Sequence, residues 1–267
     1  MGTIMNEIGF IGAGNMATAI IKGYIGKAES DIFVYDINCQ QVEKLEAAGA
    51  KAKASAAELA ESVKYLFLAV KPQNFEEVLS ELKGHVPPDT VVVSIAAGIS
   101  SAYIKRQLGF DAKVVRVMPN TPLLLGCGAS ALARVSPTSR EEFDFCCNIF
   151  RASGEAAVID EEQMNAVISV NGSTPAYIYE ITRSFIRYAE EQGIDPEVAL
   201  TLFCQTLIGS ARMMTESGYS LEELIQMVSS KGGTTIAGLE SFRADGLGEM
   251  IKNACDRCTK RACELAK

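Results

Sequence analysis

A glycine-rich turn near the start of the chain has the spacing needed to bind the phosphates of a dinucleotide. An apolar run over residues 7–11 leads into the pattern G-x-G-x-x-A, and helical periodicity follows. In this pattern Gly12 permits the tight turn, Gly14 lets the backbone approach a pyrophosphate, and Ala17 keeps the helix close to the sheet. The free amides at the start of the helix then face the phosphates. We expect this glycine loop to contact the cofactor through Ile11, Gly12, Ala13, Gly14, Asn15 and Met16.

A carboxylate, Asp36, stands at the predicted end of the second strand, about 20 residues beyond the glycine loop, where it suits the ribose of the cofactor. It can accept hydrogen bonds from the ribose diol, but it repels a 2′-phosphate. Residues 37–40 contain no arginine that would bind such a phosphate. The sequence therefore favours NADH over NADPH. The alternative is that Asp36 only caps the helix predicted over residues 40–48.

Three further segments follow apolar strands, so we place them at the carboxyl ends of a sheet, where open α/β folds bind ligands. Small residues there leave room for the nicotinamide and its ribose, and two prolines hold Asn120 in a loop expected to face the cofactor. The alternative is that all three are ordinary strand-to-helix turns, with Lys71 a solvated strand end. The expected contacts are Ala69, Val70, Lys71, Pro72, Ala96, Ala97, Gly98 and Asn120.

A second glycine-rich turn, residues 230–235, precedes a predicted helix and is suited to bind a carboxylate. Such a turn exposes backbone amides at the positive end of the helix dipole, so it holds an anion without an arginine. We call it the anion loop. The expected ligands of the carboxylate are the amides of Gly233 and Thr234 and the hydroxyl of Ser230. Thr235 has an alternative role as the N-cap of the helix, and both roles can coexist.

The sequence lacks the usual acid catalysts of a dehydrogenase, so the group that accepts the hydride should need little acid catalysis from the protein. Dehydrogenases that act on secondary alcohols use a histidine or a Y-x-x-x-K pair near the nicotinamide, but the only histidine, His85, falls on a distant loop and no tyrosine has a lysine four residues on. A C=N bond fits, because a cyclic imine can be protonated before the hydride attacks. No metal is expected, since Cys255-x-x-Cys258 lacks a second pair of ligands.

Two kinds of hydrophobic pattern predict the strands and helices that position these motifs. Up to about residue 160, short β-branched runs alternate with amphipathic stretches, which predicts a doubly wound α/β sheet of parallel strands covered by helices, a Rossmann-like domain over residues 1–160. Residues 161–267 carry helical periodicity only, which predicts a second, all-helical domain. Its apolar runs suit it to be the dimerisation domain, and the anion loop suits it to bind the substrate. The predicted strands are 7–11, 31–35, 65–70, 90–95, 113–118, 129–134 and 156–159. The predicted helices are 16–25, 40–48, 56–61, 74–82, 101–108, 175–192, 196–216, 221–229, 236–242 and 247–266.

Composition excludes several classes of protein. The 267 residues are 48% hydrophobic and carry a net charge of −8, so the chain should fold and should bind neither nucleic acid nor an anionic membrane. It has no apolar run long enough to span a bilayer and no export signal, which predicts a cytoplasmic protein whose eight cysteines are reduced. The runs over residues 164–170 and 198–208 are apolar on most faces, so we expect a homo-oligomer.

Five motifs, in this order and spacing, resemble those of pyrroline-5-carboxylate reductases over essentially the whole chain. They are Val70-Lys71-Pro72-Gln73, Ser94-Ile95-Ala96-Ala97-Gly98-Ile99, Arg116-Val117-Met118-Pro119-Asn120-Thr121-Pro122, Gly172-Ser173-Thr174-Pro175-Ala176-Tyr177 and Ser230-Lys231-Gly232-Gly233-Thr234-Thr235. The resemblance implies NAD(P)H-dependent reduction of 1-pyrroline-5-carboxylate, an imine carboxylate, to L-proline, with NADPH usual in the family. It also implies that the Thr235 hydroxyl reaches the imine nitrogen, and that the protein forms homodimers, often joined into rings.

The chain departs from this family at two positions. Thr174 stands where the family usually has glycine, and Lys231 stands where it usually has proline. Neither replaces a group that the chemistry needs, although Lys231 bears on the shape of the anion loop. Two other functions remain as alternatives: another imine or β-hydroxyacid reductase of the same layout, or a non-catalytic dinucleotide sensor. An intact anion loop favours the enzyme, because a sensor has no need of a carboxylate site.

Overall fold

The computed structural model of the chain describes residues 6–27 and 30–265. Contacts divide the molecule into two compact units. The first, the dinucleotide unit, runs up to Pro175 and includes the end of the last helix from Asp256 onward. The second, the helical unit, is Ala176–Cys255. The domain boundary expected after residue 160 stays a prediction, although Met164 belongs by packing to the dinucleotide unit, where it is buried against Met118 and Ala131.

The dinucleotide unit is built on a single eight-stranded sheet. Its spatial order is β3-β2-β1-β4-β5-β6-β7-β8, so the first six strands follow the 3-2-1-4-5-6 order of a Rossmann fold. The strands are β1 (Ile8–Ile11), β2 (Ile32–Tyr35), β3 (Lys51–Ala52), β4 (Tyr65–Leu68), β5 (Val91–Ser94), β6 (Lys113–Pro119), β7 (Gly128–Val135) and β8 (Gly154–Val158). The strand order reverses beside β1, and this places a binding crevice between the ends of β1 and β4.

The sheet corrects the predicted strand pattern in two places. The seven predicted strands are present, but β7 runs antiparallel to β6, whereas an all-parallel sheet was expected. Only residues 120–127 join these two strands, and a parallel crossover needs a dozen or more residues. The short edge strand β3 was not predicted, because two exposed residues carry no hydrophobic pattern.

Helices cover both faces of the sheet and enclose two hydrophobic clusters. One cluster joins α1 and α6 to the side chains of Phe10 and Phe67, whose rings stack with centroids 4.4 Å apart. The other joins α3, α4 and α5 to Leu66 and Leu68 on the opposite face. The helices of this unit are α1 (Asn15–Tyr24), α2 (Cys39–Glu46), α3 (Ala56–Glu61), α4 (Phe75–Leu82), α5 (Ser101–Leu108) and α6 (Arg140–Arg151).

Charged side chains close the amino edge of the sheet. The carboxylate of Glu142, at the start of α6, accepts hydrogen bonds from Lys64 at 2.9 Å and from Lys113 at 2.7 Å. Burial acts to raise the pKa of Glu142, but the hydrogen bonds from Lys113, Ser139 and Lys64 outweigh it and lower the pKa to about 2. This network anchors the start of α6 at the amino ends of β4 and β6. The carboxyl ends of the strands, at the opposite edge of the sheet, are not involved in it.

A short connecting stretch, residues 161–173, follows β8 and is called the joint segment. It contains a 3-10 turn, Glu161–Gln163, and a π-helix, Ile168–Gly172. Met164 is buried and Ile168 half-buried in a third small cluster under the end of β6. π-Helical turns are rare and often occur at functional sites. The burial of Met164 makes the joint segment part of the dinucleotide unit. Its two short helical turns were not predicted from the sequence, because they are too short to show a hydrophobic period.

Long helices make up the rest of the chain, as predicted. They are α7 (Thr174–Glu191), α8 (Pro196–Glu216), α9 (Leu221–Met227), α10 (Thr234–Ala244) and α11 (Leu247–Leu265). Within Ala176–Cys255, every residue of which is described, Ala199 alone is buried. Many large apolar side chains are exposed instead, among them Leu202, Ile208, Met214, Ile225 and Met227. No helix in the described part of the chain is long and apolar enough to cross a membrane.

Candidate active site

The turn after β1 can only be made by glycine. Gly12 has φ +101°, and a Cβ there would lie 2.7 Å from the carbonyl oxygen of Ala69. Its amide donates to the carbonyl of Tyr35 at 2.8 Å, and the Ala69 amide donates to the carbonyl of Ile11 at 2.8 Å. Gly12 thus lets the ends of β1, β2 and β4 meet at one point. The first glycine of the motif is required by the protein's own backbone.

The second glycine of the motif is not required in this way. Gly14 is the N-cap of α1, and a Cβ there would meet no described protein atom within 4 Å. No side chain in the described chain caps this helix, so its first amides are available to a ligand. Ala17, one turn later, is fully buried against the sheet. The residues present fit the pyrophosphate of a dinucleotide, because a Cβ at Gly14 would fill the space that its oxygens need.

Asp36 lies beside this loop rather than at the head of α2. Its Oδ2 accepts a hydrogen bond from the amide of Ala13 at 2.6 Å, and its Oδ1 accepts one from the amide of Asn38 at 2.8 Å. The N-cap of α2 is Asn38, whose side chain accepts from the amide of Gln40. The helix-capping role considered for Asp36 is therefore wrong. The carboxylate stands next to the glycine loop, where a ribose diol would lie.

Two further predicted segments share this edge of the sheet. Residues 69–72 follow β4, with Val70 half-buried, Lys71 exposed and Pro72 opening a short 3-10 helix. Residues 96–98 follow β5: Ala96 is buried, Ala97 packs on the third hydrophobic cluster, and Gly98 has φ +75°. The carboxyl ends of β1, β4 and β5 are neighbours in the sheet. The structure thus brings these predicted residues together with the glycine loop.

Asn120 follows β6 as predicted, but its side chain is bonded within the protein. Its Oδ1 accepts from the amide of Ala129 at 2.9 Å, and its Nδ2 donates to Oδ1 of Asn171 at 3.0 Å. The side-chain oxygen and nitrogen are thus both bonded to other parts of the dinucleotide unit. Asn171 was missed by sequence reasoning, although it directly precedes the Gly172-Ser173 motif that carried the family resemblance.

Glu161 is a second residue that sequence reasoning missed. Its two carboxylate oxygens accept from the amide of Ser101 at 3.0 Å and from the Ser101 hydroxyl at 2.8 Å, at the start of α5. Arg116 of β6 lies 3.4 Å from the same carboxylate, and burial lowers the pKa of its guanidinium despite the opposing effect of Glu161. Glu161 thereby fixes the helix that follows residues 96–98. No motif in the sequence marks it.

The anion loop has the geometry of an open helix terminus. Gly232 has φ +71°, and the amide of Gly233 donates to the carbonyl of Ser230 at 2.9 Å. Gly233 is the N-cap of α10, and no side chain among the described residues caps it. Thr235 is therefore the second residue of the helix and is exposed, so its alternative role as N-cap is wrong.

A serine next to the anion loop was also missed. The Oγ atom of Ser229 is buried and has no hydrogen-bond partner in the described structure. A Cβ on Gly233 would lie 2.5 Å from Oγ of Ser230, so a larger residue here would displace the Ser230 hydroxyl. These features leave donors at the start of α10 for an anion.

The remaining titratable groups considered in the sequence lie elsewhere. Nδ1 of His85 is 2.6 Å from Oε1 of Glu61 at the exposed end of α3. Cys258 Sγ lies 3.4 Å from the hydroxyl of Ser173, and Cys263 Sγ accepts from Asn165. In the described ranges, histidine, cysteine and acidic side chains nowhere gather in threes. Burial raises the pKa of both Cys146 and Cys147 in the core.

Comparison with known proteins gives two family matches. Residues 161–265 match the model described as pyrroline-5-carboxylate reductase dimerisation, and residues 7–98 match the model described as NADP oxidoreductase, coenzyme F420-dependent. The first match supports self-association through the helical part of the chain. It covers the helices whose apolar side chains are exposed.

Individual relatives match along their whole length. The chain is 36% identical to the pyrroline-5-carboxylate reductase of Escherichia coli over 265 residues, 98% of each chain. A solved pyrroline-5-carboxylate reductase from Coxiella burnetii superposes with a TM-score of 0.92 at 31% identity, over 99% of this chain and 100% of that one. The NADP-bound pyrroline carboxylate reductase of Plasmodium falciparum has a TM-score of 0.87 at 25% identity, over 98% of this chain and 100% of that one. The chain is an oxidoreductase that belongs to the pyrroline-5-carboxylate reductase family.

Proposed function

We propose that this protein reduces 1-pyrroline-5-carboxylate to L-proline with a reduced nicotinamide dinucleotide. The observation that carries the proposal is the uncapped N-terminus of α10 behind Gly232-Gly233, in a chain that also has an uncapped glycine loop at α1. One is suited to the carboxylate of the substrate and the other to the phosphates of the cofactor. The family membership supplies the identity of the imine.

The cofactor would be held by the glycine loop, Asp36 and the residues after β4 and β5. When bound, a reduced nicotinamide supplies the hydride that adds to the carbon of the C=N bond. Gly12 and Gly14 admit the pyrophosphate, and the Asp36 carboxylate accepts hydrogen bonds from the adenosine ribose. A 2′-phosphate would be repelled by Asp36, whose Oδ2 is already 2.6 Å from the Ala13 amide. We therefore propose a preference for NADH, whereas the Plasmodium relative was solved with NADP.

The substrate would be held by its carboxylate at the anion loop. The amide of Thr234 and the hydroxyl of Ser230 donate to the carboxylate, which is anchored without an arginine. The Gly233 amide, which the sequence also suggested as a donor, is already bonded to the carbonyl of Ser230 at 2.9 Å. The Thr235 hydroxyl accepts the N–H of the protonated imine and so fixes the orientation of the C=N bond. A threonine hydroxyl is too weak an acid to protonate the imine at neutral pH. The substrate therefore brings its own proton, which stays on nitrogen as the amine forms.

Assembly and location follow from the surface. The exposed apolar helices support a homodimer. We also propose that the dimers assemble into a ring, as the family resemblance implies. All eight cysteines are unpaired, which fits a reducing compartment such as the cytoplasm. No described feature favours a metal, nucleic acid or membrane as partner.

A spectrophotometric assay tests the function. Purified protein is mixed with 1-pyrroline-5-carboxylate and either NADH or NADPH, and the loss of reduced nicotinamide is followed together with the formation of proline. We expect turnover with both and a lower KM for NADH. In the control reaction, a β-hydroxyacid replaces 1-pyrroline-5-carboxylate and the oxidised dinucleotide replaces the reduced one. Turnover only in that control points to the alternative dehydrogenase, and binding without any turnover points to the sensor.

A further inference from the structure

The side chains of Asn120 and Asn171 form one closed hydrogen-bonded unit. Asn120 accepts from the amide of Ala129 and donates to Oδ1 of Asn171, as described above. Asn171 in turn donates through Nδ2 to the carbonyl of Met118 at 2.7 Å and to that of Ala129 at 3.1 Å. The pair therefore ties the end of β6 to the start of β7 and holds the joint segment against both.

The π-helix around Asn171 is stabilised by a second set of local bonds. The Thr174 hydroxyl donates to the carbonyls of Ser169 at 2.8 Å and Val170 at 2.7 Å. Both carbonyls belong to the π-helix Ile168–Gly172 that carries Asn171. Thr174, one of the two departures from the family pattern, thus supports the turn that presents Asn171. The turn ends just before Pro175, the last residue of the dinucleotide unit before the chain enters the helical unit.

Through Asn120, the Asn120–Asn171 pair is also connected to the glycine loop. Asn120 directly precedes the 3-10 helix Thr121–Leu125, and this helix packs against α1, whose N-terminus carries the glycine loop. Leu123 of this helix is buried in the same hydrophobic cluster as Ala13 and Ala17. A shift of Asn120 would therefore move the packing that supports α1. The contacts run without a break from the joint segment to the cofactor edge of the sheet.

We propose that Asn171 is a positioning residue of the reaction, acting through Asn120 to fix the β6–β7 edge and the loop after it beside the nicotinamide. This role rests on the proposed function. Hydride transfer depends steeply on the distance and orientation of donor and acceptor. Most of the affinity for the cofactor, in contrast, comes from phosphate and ribose contacts at the glycine loop and Asp36. Loss of the pair therefore lowers kcat and leaves cofactor affinity nearly unchanged.

The test measures kcat, KM for 1-pyrroline-5-carboxylate and Kd for NADH in full-length Asn120→Ala, Asn171→Ala and the double variant. We expect each single variant to lower kcat about ten- to a hundredfold, since small misplacements have effects of that size. Kd for NADH should change less than about threefold in both, a difference of about 0.65 kcal/mol. The double variant should be no slower than the slower single variant, because the two residues act as one unit.

Asn165→Ala is the matched control. Asn165 lies in the same joint segment, and its amide donates only to Sγ of Cys263 at 3.6 Å. We expect this variant to keep the kcat of the unaltered enzyme even where its Tm falls. A Tm loss in all three single variants with unchanged kcat would show a merely structural role and overturn the proposal.

Three other outcomes separate the possible failures. Asn120→Ala that weakens NADH binding tenfold while Asn171→Ala does not would mean that Asn120 contacts the cofactor directly, which also overturns the positioning role. An unaltered enzyme that oxidises neither NADH nor NADPH with 1-pyrroline-5-carboxylate contradicts the proposed function itself, and the role of Asn171 falls with it. An unaltered enzyme that turns over, beside an Asn171→Ala variant equally fast, contradicts the positioning role alone.

Discussion

The molecule contains two glycine-rich turns that open helices, and their surroundings differ completely. The glycine loop before α1 is held by three strands, and Ala13 and Ala17 behind it are fully buried. The anion loop before α10 belongs to a unit in which Ala199 alone, among residues 176–255, is buried. Both turns leave helix amides uncapped. Only the first is supported by a hydrophobic core of its own.

This difference indicates how the two sites are stabilised. The glycine loop is complete in one chain, because the sheet fixes its shape before any ligand binds. The anion loop lies on helices whose apolar faces remain exposed, and such faces are normally covered by another protein surface. We infer that the cofactor site needs only the fold of one chain, whereas the substrate site needs the association of two.

Association should be lost when a charge enters the apolar surface of the helical unit. A groove of about 950 Å³ along α8 and α9 is lined mainly by apolar side chains, among them Met213, Leu221 and Ile225. Ile225→Asp would bury an unpaired carboxylate at a cost of about 3 kcal/mol or more, which weakens a dimer at least about a hundredfold. Light scattering should show a smaller species. In separate assays this species should have little activity and should still bind NADH.

Ile37→Asp is the control for this substitution. Ile37 is also exposed and apolar, but it lies in the dinucleotide unit. Its variant should remain as large as the unaltered protein. Full-length protein that is monomeric at micromolar concentration and fully active would contradict the inferred difference between the two sites.

The two glycines of the first turn should respond differently to alanine. Gly12→Ala places a Cβ against the Ala69 carbonyl at positive φ, so it should lower the free energy of unfolding by about 1–3 kcal/mol as well as weaken NADH binding. Gly14→Ala meets no protein atom and should fold normally. It should still lose NADH affinity about ten- to a hundredfold, because charged hydrogen bonds worth about 1.5–3 kcal/mol are blocked. Calorimetry and thermal melts separate the two effects.

Thr235 tests the second turn. Thr235→Ala should lower turnover about ten- to a hundredfold, the value of one hydrogen bond of about 1.5–3 kcal/mol to a charged centre. Thr235→Ser should keep most of the activity because it retains the hydroxyl. Cofactor affinity should be nearly unchanged in both variants. Normal turnover in Thr235→Ala with a lower Tm would assign the residue to helix stability alone.

Cofactor choice depends on the first unit only. Asp36→Ala should narrow or reverse the preference for NADH, a change of about tenfold or 1.4 kcal/mol in the ratio of KM values. Asp31→Ala is a suitable control, since this exposed carboxylate pairs with Lys51 and is not at the glycine loop. If the unaltered enzyme prefers NADPH by more than about tenfold, Asp36 does not meet the ribose.

The smallest effect on function should come from the amino edge of the sheet. The pKa of Glu142 is lowered to about 2, below its ordinary value, so its contribution to stability is present above about pH 5 and is lost as the pH falls towards 2. Glu142→Gln should lower the free energy of unfolding by about 1–3 kcal/mol at pH 7. Its stability should then vary less between pH 5 and pH 2 than that of the unaltered protein. Activity at pH 7 should be unchanged.

Much of the fold was predictable because its signals are local. Buried strands such as Val91–Ser94 are continuous β-branched runs, and long helices such as Pro196–Glu216 begin at a recognisable cap, here Asp195 before a proline. The glycine loop and Asp36 were predictable because their chemistry requires fixed spacing along the chain. The shared carboxyl edge followed from parallel strand order alone.

Other features depend on hydrogen-bond partners that the sequence pattern does not identify. The capping roles weighed for Asp36 and Thr235 were decided by the neighbours Asn38 and Gly233, since the residue nearest the first free amide becomes the cap. The joint segment has no helical period, so neither Glu161 nor Asn171 could be found from pattern alone. Their bonding partners lie at least 42 residues away in the chain.

The sequence by itself predicted the two glycine-rich turns that open helices, because glycines at fixed spacing before a helical pattern are a local signal. It also determined the division into a sheet and a set of helices, because hydrophobic period is a local property. Only the tertiary structure decided that β7 reverses, that Gly14 faces open space while Gly12 does not, and that the amide of Asn120 binds Asn171. Each of these depends on which distant backbone atoms come within hydrogen-bonding or van der Waals distance, and sequence spacing does not encode that distance.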